Sequence, residues 1–172
     1  ESNPDTAFLQ VGSPSGTYTN YTATPSSGIA RFSLSSLSDG QHNFSMYAND
    51  TTNNQATNTS VYKINIDTTS PTSLRFITPT KANNTDSVNS TLDLAFQFTE
   101  TNPHISQIQI GFPNGTYENR TSSTSGNTGR LSLLSLPNGQ HNFTMFANDT
   151  AGNQATNSSL YNISITLDTT SP

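Results

Sequence analysis

Between His141 and Asn148 the side chains alternate. His141, Phe143, Met145 and Ala147 fall on one face, and Asn142, Thr144, Phe146 and Asn148 on the other. A period of two is the pattern of a strand with one buried face. The turn pair Asn138-Gly139 precedes it, and the loop residues Asp149-Thr150-Ala151-Gly152-Asn153 close it. The stretch therefore reads as the central strand of a β-sandwich, with a turn leading in and a hairpin leading out. The stretch 136–157 occurs earlier as 37–58, with Asp39-Gly40 as its turn.

Other runs complete the picture. Leu92, Leu94, Phe96 and Phe98 alternate with Asp93, Ala95 and Gln97, and Ser73 to Ile77 form a short strand ahead of them. The pattern predicts strands at about 74–78, 91–99, 105–112, 115–121, 129–134, 140–148 and 159–167. Seven short strands at turn-rich spacing imply an all-β, Greek-key sandwich of immunoglobulin type. Its core takes Leu92, Leu94, Phe96, Phe98, Ile108, Ile110, Leu131, Leu133, Phe143, Met145, Tyr161, Ile163 and Ile165. No stretch has helical periodicity.

A shift of 99 residues lays Glu1 on Glu100, and about 36 of the next 66 positions are identical without a gap. The period is domain-sized. Residues 72–172 form a complete domain. Residues 1–71 lack a counterpart of Thr72–Thr99 and form the C-terminal part of a like domain, with five strands by alignment to 100–166. Left alone, that part exposes Leu9, Val11, Phe32, Leu34, Phe44, Met46, Ile64 and Ile66, and leaves strand edges unpaired. Two sources of cover are open. Strands just upstream in a longer chain complete the domain, or a neighbouring subunit donates a strand like Thr91–Thr99.

Composition narrows the function classes. Charged residues make up 10% of the chain and the net charge is −5. The six Lys and Arg are scattered, so nucleic-acid binding is not expected. There is no Cys, and the sequence shows neither a leader peptide nor an apolar run of the ~18 residues that a membrane span needs. Such segments can lie outside this stretch.

Leu136, Gly139, His141, Phe143, Met145, Ala147, Asp149, Gly152 and Asn153, followed by Asp168-Thr169-Thr170-Ser171-Pro172, form a pattern that resembles tandem Ig-like domains of archaeal and bacterial cell-surface proteins, among them surface-layer proteins and adhesins. The first copy departs at Asn53, where the second has Gly152. The resemblance implies tandem Ig-like sandwiches and an extracellular location, and says little of activity.

The strongest chemical signal is the Asn-x-Ser/Thr sequon. It occurs at Asn20, Asn43, Asn49, Asn58, Asn83, Asn89, Asn114, Asn119, Asn142, Asn148, Asn157 and Asn162. These twelve are about double the roughly six or seven that chance gives at this composition. Alternation points Asn142, Asn148 and Asn162 away from the core, as a glycan requires. His42 and His141 invite a catalytic reading with Asp50 and Asp149, but eight residues of strand separate each pair by about 26 Å. Each His instead stands just after its turn, where related sandwiches carry a corner tyrosine bonded to backbone. Asp50, Asp67, Asp149 and Asp168 are weak calcium candidates, because calcium takes six to eight oxygens and only two or three carboxylates lie near each junction. Asx turns are the plainer account of them. Glu100 and Glu118 show no carboxylate partner for glycosidase chemistry. Phe112, Tyr117 and Phe146 are expected outward or in loops.

No catalytic constellation or cofactor is expected beyond the calcium option. The expected role is a structural repeat of an extracellular, N-glycosylated surface assembly such as a surface layer, filament or stalk. Its partners are then copies of itself or neighbouring repeats, and N-linked glycans. An adhesin module that binds glycans or another cell is one alternative. A spacer of an exported enzyme is the other.

Overall fold

The computed structural model describes residues 4–157 and 159–167, and every regular element in them is a β-strand. No helix among the described residues is long and apolar enough to cross a membrane. The chain divides into two compact units, Glu1–Thr68 and Thr69–Pro172.

Unit 1 contains β1 (Pro4–Gly12), β2 (Tyr18–Ala23), β3 (Gly40–Asp50), β4 (Gln55–Thr57) and β5 (Tyr62–Ile66). They make one antiparallel sheet in the order β2-β1-β3-β4, with β5 also paired to β3. The second unit contains β6 (Thr72–Ile77), β7 (Thr85–Ser87), β8 (Leu92–Thr99), β9 (Pro103–Gly111), β10 (Tyr117–Thr121), β11 (Ser123–Ser125), β12 (Thr128–Leu133), β13 (Gly139–Asp149), β14 (Gln154–Thr156) and β15 (Tyr161–Ile165). These form two sheets. One runs β11-β12-β8-β6, and the other runs β10-β9-β13-β15-β7 with β14 on the far half of β13. The chain passes between the sheets after β6, β7, β8, β10 and β12, as a Greek-key sandwich requires.

All seven expected strands are present in unit 2. Three short ones, β7, β11 and β14, are additional. β7 and β15 make the one parallel pairing among the described residues, through Thr85–Ser87 against Ile163–Ile165. β13 is central, flanked by β9 along one edge and by β15 and β14 along the other. Its inward residues from His141 to Asp149 are all buried, and the residues between them are half-buried.

The core of unit 2 joins the alternating residues of the two sheets. Leu92, Leu94, Phe96 and Phe98 of β8 meet Ile108 and Ile110 of β9, Phe143 and Met145 of β13, and Ile163 and Ile165 of β15. Leu131 and Tyr161, expected in the core, are half-buried at its margin. Leu136 and Ala147 belong to the core as well. Phe112, expected outward or in a loop, lies in the loop after β9 and packs against the core from there. The reason is local, since its ring meets the His141 imidazole edge-on at 5.5 Å.

Unit 1 departs from its expected strands in one place. Residues 30–35, the counterpart of the strand expected at 129–134, form no ladder, and an isolated bridge between Ser26 and Ile29 precedes them. β12 pairs with β8 from Thr128 to Leu133, and among the described residues of unit 1 there is no such partner. The expected open face is also partly covered. Phe32, Leu34 and Leu37 fold onto Leu9, Val11 and Phe44, which are buried. Met46 and Ile64 remain exposed and Ile66 is half-buried.

Phe143 is fully buried, whereas Asn142 lies on the outer face. Phe143→Ala is expected to cost about 3–5 kcal/mol in chemical denaturation. Asn142→Ala is expected to change the stability of the unglycosylated protein by no more than about 0.5 kcal/mol.

Candidate functional site

The repeated turn, strand and loop around β13 and β3 hold most of the residues singled out by the sequence. The turn comes first. Gly139 and Gly40 have φ of 120° and 118°. A Cβ on either would come within 2.6 Å of the ring of Pro113 or Pro14. Glycine is thus needed twice over, for the backbone angle and for the close approach.

Two residues on, the histidine closes this corner. The Nε2 of His141 donates to the carbonyl of Pro137 at 2.9 Å, and that of His42 to Ser38 at 2.8 Å. Both rings are buried. A carbonyl can only accept, so the hydrogen sits on Nε2, and Nδ1 has no partner in either copy. The ring ties the strand to its own turn four residues upstream, which is the corner role expected of it. Neither histidine is brought to its aspartate, because the two lie at opposite ends of an eleven-residue strand.

Asp149 and Asp50 close the other end. The Asp149 carboxylate accepts from the backbone of Asn153 at 2.8 Å and from its side chain at 2.7 Å. Burial raises its pKa, but bonds from Asn153, Ala151 and Gly152 outweigh this and hold it below the ordinary carboxylate range. Asp50 binds Asn54 and Thr52 in the same way. The Asn54 side chain is the largest cause that brings its pKa down to about 2. The loop also explains why Gly152 and Asn53 exchange. Both have positive φ, 92° and 66°, and asparagine tolerates that region better than other non-glycine residues.

The remaining acidic candidates are placed as follows. Asp67 is half-buried near the end of unit 1. Asp168 lies outside the described residues, as do 169–172. Glu118 pairs with Arg120 at 2.8 Å on the same face of β10, which is an ion pair and not a pair of carboxylates. The Glu100 carboxylate accepts from the backbones of Thr101 and Asn102. It also lies within 4.8 Å of the Asp149 carboxylate, a juxtaposition that their separation in sequence conceals.

The sequons divide by what their amides do. Asn20, Asn58, Asn83, Asn89, Asn114 and Asn119 are exposed, and Asn43, Asn49, Asn142, Asn148, Asn157 and Asn162 are half-buried. Three side-chain nitrogens hold structure together. Asn157 donates to the carbonyl of Leu74, Asn83 to that of Leu160, and Asn162 to the Asn84 side chain. At Asn114, by contrast, the side-chain oxygen accepts from the Thr116 backbone and hydroxyl, which leaves the loop complete without the amide nitrogen. Asn119 and Asn20 accept through their side-chain oxygens from Gln109 and Gln10, one neighbouring strand away. Tyr117 and Tyr18 lie over Gly111 and Gly12 on the same outer faces and are largely exposed. Phe146 shares this face in unit 2 and is half-buried there.

The fold and the repeated corner point to one family, and a sequence profile decides it. The profile of the bacterial Ig-like domain (group 3) matches residues 28–124, more than half of the chain. The chain belongs to this family. The match is about one repeat long and begins part-way through unit 1, so the profile and the chain cut the same repeat at different points. A comparison with curated proteins gave no match.

Among solved structures, the chain is similar to a tetra-tandem repeat in the extending region of a large adhesion protein. That pair shares 20% identity with a TM-score of 0.43, over 96% of this chain and 42% of the other. It is also similar to a 1.5-MDa bacterial ice-binding adhesin (14%, TM-score 0.41, 94% and 54% covered). The fibronectin(III)-like modules of Clostridium thermocellum CbhA are a third (12%, TM-score 0.40, 97% and 82% covered). The chain thus spans less than half of the adhesion-protein repeat structure and about half of the ice-binding one. Members of this Ig-like family are typically non-catalytic domains.

Asp50 supplies a pH test. Its pKa in the folded protein, about 2, lies below the ordinary 3.8, so its contribution is fully present above about pH 4 and is lost as pH falls through 2. An NMR titration is expected to show the Asp50 carboxyl midpoint near 2, with loosening of the 50–54 loop over the same range. Asp50→Asn is expected to remove that step.

Proposed function

We propose that this Ig-like chain is a structural repeat of an extracellular, N-glycosylated surface assembly, of the surface-layer, filament or stalk kind. The observation that carries the reading is the repeat itself. Turn, corner histidine, inward strand residues and exit loop recur 99 residues apart, and the outward side chains of β3 and β13 are amides, hydroxyls and one aromatic ring each rather than charges. A catalytic module would need one constellation that differs from its neighbours. A load-bearing or spacing module needs the same scaffold each time. Its partners are then further repeats of its own kind and the glycans it carries. The location is the cell surface.

An adhesin module is the second reading. What supports it is the pairing of an exposed tyrosine with a Gln–Asn hydrogen bond on the outer face of both units, Tyr117 beside Gln109–Asn119 and Tyr18 beside Gln10–Asn20. Rings and amides are the groups that proteins use on sugars. A glycan-array screen separates the readings. The structural repeat is expected to bind nothing specifically. Binding that disappears in Tyr117→Ser together with Tyr18→Ser would favour the adhesin.

Glycans test the proposal directly. Mass spectrometry of native material is expected to find them at outward asparagines, Asn142 or Asn148 with Asn43 or Asn49, and at Asn20, Asn114 and Asn119. Occupancy is expected to be lowest at Asn83, Asn157 and Asn162, whose nitrogens are already hydrogen-bonded. Bare peptides at all twelve sequons would end the glycoprotein reading.

A further inference from the structure

The second copy shows what the first one lacks. In unit 2 Met145 and Ile163 are 0% exposed, under the cover of the opposite sheet. Their counterparts in unit 1, Met46 and Ile64, are 48% and 41% exposed. The side chains are the same, so only the cover differs. An apolar groove of about 440 Å³ runs beside Met46, lined by Ala7, Ala30, Phe32 and Ala48 among others.

The backbone of unit 1 has a matching gap. Residues 29–34 align with β12, which in unit 2 is hydrogen-bonded along its whole length to β8. In unit 1 they carry a strand pattern without a ladder. Two things are therefore missing, an apolar cover for Met46 and Ile64 and a pairing edge for residues 29–34. In unit 2 the segment 72–99 serves both, β8 as the pairing edge of β12 and β6 and β8 together as part of the apolar cover.

We infer that unit 1 is built to receive a further copy of the Thr72–Thr99 segment, wired ahead of β1 as that segment is wired ahead of β9. The wiring follows from the repeat. In unit 2 only 100–102 separate β8 from β9, and the first copy repeats Glu-x-Asn-Pro at the same place before β1. The β8 of this chain cannot serve, nor can that of a second molecule, without withdrawing Leu92, Leu94, Phe96 and Phe98 from their own core. The inference deepens the repeat reading by naming the partner and the face. It is independent of glycosylation and of sugar binding.

The chain carries its own reporter. It has two methionines, Met46 and Met145, at equivalent positions of the two copies. Three proteins are compared: the full chain, the full chain with a second copy of the Thr72–Thr99 sequence joined to Glu1, and that fusion with Ser at the added copy's counterparts of Leu92, Leu94, Phe96 and Phe98. Peroxide oxidation of each methionine is followed by peptide mass spectrometry. In the full chain Met46 is expected to oxidise on the order of tenfold or more faster than Met145. The added segment is expected to bring Met46 to the rate of Met145, and the Ser-substituted segment to leave it fast. Undiminished Met46 oxidation in the first fusion overturns the inference, and so does equal protection by both fusions. Protection of Met46 in the unfused chain that vanishes on dilution, with a dimer in light scattering, would show that another molecule donates the strand and would overturn the wiring.

Discussion

An antiparallel sheet with one apolar face is not stable by itself in water, and everything in this chain depends on how that face is covered. In unit 2 the sheet that holds β6 and β8 shares one core with the sheet that holds β13, and each sheet shields the other's apolar face from solvent. Phe96, Phe98, Phe143 and Met145 are all but inaccessible. A buried aromatic or aliphatic side chain contributes about 1.5–3 kcal/mol relative to its exposed state. No disulfide contributes, since the chain has no cysteine. Turns, corner histidines and capped loops fix the register in which the two faces meet. They do not replace the contact.

The two copies amount to a controlled comparison within one chain. Over β3 and β13 they are nearly identical in sequence, and both form the strand, the histidine corner and the aspartate-closed loop. Those features are local, and they survive without the opposite sheet. Residues 29–34 and 128–133 are also similar, yet only the second stretch is a strand. That feature depends on a partner far away in the sequence. Asp50 is half-buried where Asp149 is buried, and Tyr62 is exposed where Tyr161 packs on Phe76 at 4.2 Å. The second difference follows the missing cover, since Phe76 belongs to β6, of which unit 1 has no counterpart.

This separates what the sequence makes legible from what it does not. The long strands were legible because eight or nine alternating residues leave little doubt about period and face. The histidine corner was legible from its position after the turn. The three-residue strands β7, β11 and β14 were not, because three residues carry no period and their pairing is decided by the neighbour. The burial of Leu136 and Phe112 was not legible, because it comes from loops folding back. The meeting of Glu100 and Asp149 is a product of topology, which brings the end of β8 beside the end of β13. The outward placement of the sequons followed from alternation, but which amides already carry structure, as at Asn157 and Asn162, needed coordinates.

The parallel pairing of β7 with β15 bears on mechanics. These strands lie near the two ends of unit 2, and they run in the same direction. A pull applied to the ends of the unit first loads the antiparallel pairing of β6 with β8, and once β6 has come away it draws β7 and β15 past each other along their length. The ladder between Thr85–Ser87 and Ile163–Ile165, with the flanking bonds from Asn84 to Asn162 and from Thr166 to Ser87, is then loaded in shear, all at once. Bonds loaded together resist better than bonds opened one by one, and survival under tension is set by the rate of unfolding rather than by equilibrium stability. A polymer of such units would yield abruptly, one domain at a time, and would lengthen by the slack each domain releases.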